Sequence, residues 1–332
     1  LHDRGSPIHV PHLADSLAAI AERGASIFNE GELAAAISAH VREGGGAMTR
    51  EDLAAYEAIE RPALVADIDD WHIATNPPPA VGGAVLTAML LACGDLHAND
   101  WDSRSLDKLI RVQRACLDFR RDRLDIADDV DAAAAELIRA AQQEQFLSHW
   151  SSSSTVHTSA VDDAGIGCAI TASSGYGSGE RPDGTGLWLN NGLGEIELNR
   201  RDVASREPGE RLPSNMAPTV ARSNDATMAI GSPGADRITT AMHQVLVNAL
   251  QFGMPLAEAI AHPRVHVDTS GETDRLRAEP GLDLPELDLP LQTFPGINMY
   301  FGGVSVATFD RNAGFDVAAD PRREGGVFLA DT

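Results

Sequence analysis

The feature that most constrains this chain is a change of periodicity near residue 150. Upstream, apolar residues recur at helical spacing. Leu13, Leu17, Ile20 and Ala21 share one face of a helix predicted over 11–23. A second helix fits 30–42 and stops at Gly44-Gly45-Gly46. Thr49 ahead of Glu51-Asp52 starts a third, with acid in its first turn. Two short strands fall within 61–75, Pro77-Pro78-Pro79 breaks them, and Gly82-Gly83 opens an apolar helix over 84–95. Helices over 104–122 and 129–146 follow. The polar run Ser151-Ser152-Ser153-Ser154 reads as an exposed linker. Beyond it the period falls to two. Residues 156–161 and 166–172 form a hairpin around Asp163-Ala164-Gly165, and 216–221 pairs with 227–230 around Ser223-Asn224-Asp225. Helices over 236–252 and 255–261 precede strands at 264–268, 275–279, 303–309 and 315–318. Strand pairs, then helices, then more strands predict packed layers of sheet and helix, an α+β fold.

Charge and composition remove several function classes. The formal net charge of -23 makes nucleic acid and anionic membrane surfaces poor partners, because phosphate binding needs clustered positive charge. The basic residues are almost all Arg, with Lys108 the one lysine; an Asp-rich, Lys-poor chain suits a high-salt interior or reflects codon bias. The most apolar stretch, Ala84 to Cys93, is too short to span a bilayer and reads as a buried helix. Leu1-His2-Asp3-Arg4 is not followed by an apolar run, so no signal peptide is visible. Cys93, Cys116 and Cys168 lack metal spacing and are expected as buried small hydrophobes. Acidic residues are spread rather than spaced as ligands, and neither GxGxxG nor a P-loop occurs, so no metal and no cofactor is expected.

Four ordered motifs then stand out. They are Thr155-Val156-His157-Thr158-Ser159-Ala160-Val161-Asp162, Leu187-Trp188-Leu189-Asn190-Asn191, Pro213-Ser214-Asn215-Met216-Ala217-Pro218-Thr219 and Gly231-Ser232-Pro233-Gly234-Ala235-Asp236-Arg237-Ile238. In order and spacing the chain resembles the gamma-glutamyltranspeptidase family. Its small subunit opens Thr-Thr-His-x-Ser-x-x-Asp and continues through Leu-Leu-Asn-Asn, Pro-x-Ser-Ser-Met-x-Pro-Thr and Gly-Ser-Pro-Gly-Gly-x-Arg-Ile. Met48-Thr49, Asp52-Leu53-Ala54-Ala55-Tyr56, Pro77-Pro78-Pro79 before Gly82-Gly83, and Asp320-Pro321-Arg322 extend the likeness over nearly the whole chain.

The resemblance implies a four-layer αββα N-terminal-nucleophile hydrolase sandwich. It implies that residues 1–154 are the mainly helical end of a large subunit and 155–332 the small subunit. The peptide between Ser154 and Thr155 is then cut by Thr155 itself, giving a large/small heterodimer. A threonine hydroxyl is a weak nucleophile and needs a base beside it. A freed α-amine supplies one, with a reference pKa of about 7.7–8.0, near the working pH. By the same resemblance Gly234 and Ala235 are the oxyanion-hole residues, Ser173 supports the nucleophile, and Asn191, Glu195, Ser214 and Asn215 bind substrate. Read from the residues alone, Gly-Ser-Pro-Gly is more readily an ordinary turn before a helix than an oxyanion hole. His157 is expected to be structural, since the amine already serves as base. Ala for Gly at 235 is tolerable unless positive φ is required.

Substrate recognition departs from the pattern. The family holds the γ-glutamyl amino group with an Asn, a Gln or Glu, and an Asp; here Gly175, Gly192 and Glu195 occupy those places. The α-carboxylate is held by a Ser-Ser pair, here Ser214-Asn215, and by an Arg from an early large-subunit region that this chain does not show. Arg181, Arg200 and Arg211 are candidate substitutes. Two enzyme readings follow: a gamma-glutamyl hydrolase or transferase acting on a small-molecule donor such as glutathione, or a cephalosporin/glutaryl acylase-like amidase. A third is an uncut, inactive homologue acting as a binding module. Family members are often periplasmic or secreted.

Overall fold

The computed structural model describes residues 7–94, 96, 100–142, 155–195, 198–199, 206–269 and 273–330. The serine run 151–154, including Ser154, lies outside the described residues, as does Arg200. Contacts divide the chain into two compact units, 1–60 with 176–192, and 61–175 with 193–332.

Among its described residues the first unit holds four helices, α1 (Leu13–Arg23), α2 (Ser26–Asn29), α3 (Glu32–Glu43) and α4 (Arg50–Ala55). The Thr49 signal works as expected: Thr49 and Asp52 form a reciprocal capping box at the start of α4. The loop 176–192 lies against α1 and α3. Ser16 Oγ donates to the Thr185 carbonyl at 2.7 Å, and His40 Nε2 lies 2.9 Å from a Glu180 carboxylate oxygen. Gly186 admits no side chain, since a Cβ there would lie 2.6 Å from the Pro11 carbonyl oxygen.

The second unit is built on a six-stranded antiparallel sheet in the order β1-β2-β5-β6-β10-β11. These strands are β1 (Leu64–Ile68), β2 (Trp71–Thr75), β5 (Thr219–Arg222), β6 (Ala226–Gly231), β10 (Ser305–Asp310) and β11 (Gly314–Ala319). The strands read at 61–75 therefore join the sheet formed by residues beyond 155. One face lies under α5 (Val81–Cys93) and α8 (Arg237–Leu246), where Ile73, Leu86, Leu90, Ile230, Ile238 and Met242 share a core. Each such side chain contributes about 1.5–3 kcal/mol on burial. Helices α6 (Ser103–Phe119) and α7 (Val130–Gln142) pack outside α5. The other face carries the hairpin β3 (Val156–Val161) and β4 (Gly167–Ala172), which packs on β6 and β10 as a second sheet. Helix α9 (Leu256–Ala261) and the sheet β7 (Val265–Asp268), β8 (Arg275–Ala278) and β9 (Leu291–Thr293) complete the unit.

Three readings need correction. Both long helices end in π turns, at 120–124 and 247–251, where continuous α-helix was expected. Strand β9 was not anticipated, because its three exposed residues carry no alternation and follow Pro290. Cys168 is exposed on the outer face of β4, whereas Cys93 and Cys116 are buried as expected. Burial pushes the Cys93 thiol up to about 12, which keeps it protonated and unreactive.

Candidate active site at the open end of a hairpin

The hairpin is fastened to the sheet at both ends, which places Thr155. At the turn, Arg222 Nη2 and Thr227 Oγ1 both donate to the Gly165 carbonyl, at 2.6 and 3.1 Å. Toward the other end, the His157 ring covers Gly231, where a Cβ would lie 2.2 Å from the ring. Ser159 Oγ donates to the Ser305 carbonyl at 3.2 Å, and Ser305 is the register partner of Gly231. The hairpin therefore runs from Thr227 to Gly231 along β6. Its open end, Thr155 and Ser173, emerges where β6 passes into the turn 232–236. Since Val156 pairs with Ala172, one further step of that register sets Thr155 opposite Ser173.

His157 is a packing residue here. Its two ring nitrogens lie 2.7 Å from Thr171 Oγ1 and 2.8 Å from Ser159 Oγ. Burial lowers its pKa to about 4, so the ring is neutral at pH 7. Ser173 is exposed, and its Oγ accepts from the Gly175 N–H at 3.1 Å, a turn that Gly175 completes at φ 59°.

The turn after β6 is buried and unusually shaped. Gly234 has φ 132° and Ala235 φ 60°. Positive φ is thus adopted at 235, the circumstance under which Ala is not equivalent to Gly, and the position stores about 1–2 kcal/mol of strain. Among the described residues neither the Gly234 nor the Ala235 N–H donates to an acceptor, while their carbonyls accept from Arg237 and Ile238 at the start of α8. Two buried donors at a helix N-terminus, in a segment that excludes other partners, suit a developing oxyanion. Gly302 lies against Gly234, whose added Cβ would come within 2.8 Å of the Gly302 Cα. Ser232 Oγ accepts from the Gly303 N–H at 3.1 Å and closes the turn on its other side.

Ser214 and Asn215 sit beneath the start of α5. The Val81 and Gly82 N–H groups donate to the Ser214 carbonyl at 2.8 and 3.2 Å. Gly82 must lack a side chain, since a Cβ would fall 2.1 Å from the Asn215 carbonyl oxygen. Asn215 Nδ2 donates to Asp236 Oδ1 at 3.3 Å, and Arg120 Nη1 donates to the same oxygen at 3.1 Å. That carboxylate fixes the amide orientation, leaving Asn215 Oδ1 buried and unpartnered among the described residues. Arg120 and Asp236 were missed from sequence; the one available signal was an acidic residue directly before α8.

Glu195 is buried, and its carbonyl accepts from the Leu198 and Asn199 N–H groups. Asn191 and Gly192 belong to the first unit, where the Gly192 N–H donates to Asn190 Oδ1 at 3.1 Å. Arg181, in the same unit, stacks over Trp188 at 5.6 Å. Arg211 lines a cleft with Arg206, Glu210 and Pro213. A cavity of about 760 Å³ follows β3 toward the hairpin turn and is lined by none of the predicted site residues.

Comparison with known proteins supplies the family. The chain is 28% identical over 322 residues to a glutathione hydrolase proenzyme of Escherichia coli, covering 86% of this chain and 55% of that protein. It is 27% identical over 273 residues to the acylase ACY 1 proenzyme of a Pseudomonas species, covering 76% and 49%. The chain thus spans about half the length of these relatives. Its fold matches that of a cephalosporin acylase from Bacillus halodurans at TM-score 0.77 and 23% identity, over 97% of this chain and 62% of that one. The likeness identifies the α+β layers as an N-terminal-nucleophile hydrolase fold. The family model for gamma-glutamyltranspeptidase matches residues 1–330, and the chain belongs to that family.

Proposed function

We propose that this chain carries the acyl-transfer centre of an N-terminal-nucleophile hydrolase, freed by a cut between Ser154 and Thr155. Residues 155–332 then act as the small subunit and 1–154 as the end of the large one. Thr155 Oγ1 attacks the carbonyl of an amide, and its own α-amine takes the hydroxyl proton. The Gly234 and Ala235 N–H groups receive the oxyanion, and the amine returns the proton to the departing nitrogen. Water or an acceptor amine then takes the acyl group from Thr155. Ser173, opposite the nucleophile in register, steadies its hydroxyl, and Glu195, Ser214 and Asn215 hold the acyl group. The observation that carries this reading is the pair of buried N–H donors, unpaired among the described residues, at the end of the sheet where Thr155 emerges.

The donor is a γ-glutamyl amide or a related acyl amide. The acylase reading gains from Gly175, which stands where the family pattern has an Asn for the α-amino group; a glutaryl chain keeps the carboxylate and lacks that amino group.

Turnover of a γ-glutamyl anilide against a glutaryl anilide separates the two donor classes. Thr155→Ala is expected to abolish both cutting and turnover; a cut or active Thr155→Ala protein would refute the assignment.

A further inference from the structure

A non-glycine residue in the left-handed region persists only where its surroundings hold it. On one side of Ala235, the Gly302 backbone and the Ser232–Gly303 hydrogen bond confine Gly234. On the other side stands Asp236. It occupies the N-cap position of α8, yet its side chain makes no capping hydrogen bond. Its Oδ1 instead receives Arg120 Nη1 and Asn215 Nδ2, from two distant stretches of chain. Arg120 is only 1% exposed and is fixed independently, its Nε donating to Asp125 Oδ1 at 3.0 Å. Asn215 is fixed independently too, through the clamp of Ser214 under α5. Asp236 is thus a carboxylate drawn away from its usual capping task and tied to two rigid supports, one residue beyond the strained position.

We propose that Asp236 is the positioning residue of the oxyanion turn, holding the Gly234 and Ala235 N–H groups in register through Arg120 and Asn215. The proposal rests on the reading of that turn given above. Asp236 touches no reacting atom, so its loss acts on the transition state more than on substrate binding. Asn215 serves the same anchor, which makes its effect depend on Asp236.

The test is steady-state kinetics of the cut enzyme on γ-glutamyl-4-nitroanilide and glutaryl-4-nitroanilide, with Asp236→Ala, Asp236→Asn, Asn215→Ala and the double variant. Asp236→Ala is expected to lower kcat by about tenfold or more with KM changed less than about threefold. Asp236→Asn keeps an acceptor for Arg120 and should recover most of kcat. It also serves as the folded variant should the alanine protein fail to fold. The kcat of the double variant should be no lower than that of Asp236→Ala alone, because both changes break one tie, while its KM also carries the loss of Asn215 from the acyl site. A kcat near wild type for Asp236→Ala, a loss confined to KM, or additive losses of kcat in the double variant would overturn the proposal. Thr155→Ala in parallel separates the two layers of inference. Its turnover, or inactivity of the wild-type protein on both substrates, removes the reading of the site and the proposal with it. An inactive Thr155→Ala beside an unimpaired Asp236→Ala removes the proposal alone.

Discussion

At the scale of single residues, Ala235 is the most informative position. It stands in left-handed space where the family pattern places a second glycine, and it keeps the N–H that the proposed chemistry uses. Ala235→Gly should leave stability unchanged or raise it by up to about 1 kcal/mol, relief of strain outweighing the added freedom of the unfolded chain. Ala235→Val should lower it by about 2 kcal/mol or more, since a branched side chain is poorly accommodated at positive φ. Urea unfolding of the two variants decides this. Sequence made the position visible as a candidate through its motif. The φ angle that distinguishes Ala from Gly there was not visible, because backbone conformation in a tight turn is set by contacts such as that of Gly302 with Gly234, 68 residues apart in sequence. The Arg120–Asp236–Asn215 tie was hidden for the same reason, since Arg120 and Asp236 are 116 positions apart.

At the scale of elements, the hairpin β3–β4 was legible because both strands alternate and Gly165 marks the turn. What sequence did not show is how it is seated. Gly231 and His157 supply the seat, a missing side chain under an imidazole. Gly231→Ala would put a methyl carbon 2.2 Å from that ring and should cost about 2–4 kcal/mol while displacing the strand that leads to Thr155. Thermal unfolding of Gly231→Ala, alone and combined with His157→Ala, checks the cause: the second change should restore part of the loss. The helix start at Gly82-Gly83 was also legible as a boundary, but not its purpose. The two glycines let α5 approach Asn215 and Asn76, whose carbonyl oxygens lie 2.1 and 1.9 Å from the added Cβ positions.

At the scale of the whole molecule, buried neutral histidines set the acid limit of stability. Burial lowers His157 to about 4, and His243 and His266 to about 3. An unfolded histidine titrates near 6.5, so below that pH the unfolded chain binds protons that the folded one refuses. Stability is expected to be full above pH 6.5 and to fall steadily as pH drops toward 4. Urea midpoints at pH 7.5 and 5 should differ accordingly, with the acid value lower; equal midpoints would show that these rings are already protonated or exposed. Among the described residues no helix is long and apolar enough to cross a membrane. The change of period at 151–154 foretold the layered fold, yet the sheet itself crosses that boundary, with β1 and β2 pairing onto β5. A cut at 154 would therefore leave two pieces held by one sheet, which alternation within short segments could not reveal.

The most direct test is an intact-mass and N-terminal analysis of the purified protein containing this chain. A piece beginning at Thr155, absent from the Thr155→Ala protein, is the expected result. A single uncut chain, or a cut at any other bond, would contradict the assignment of Thr155 as the nucleophile.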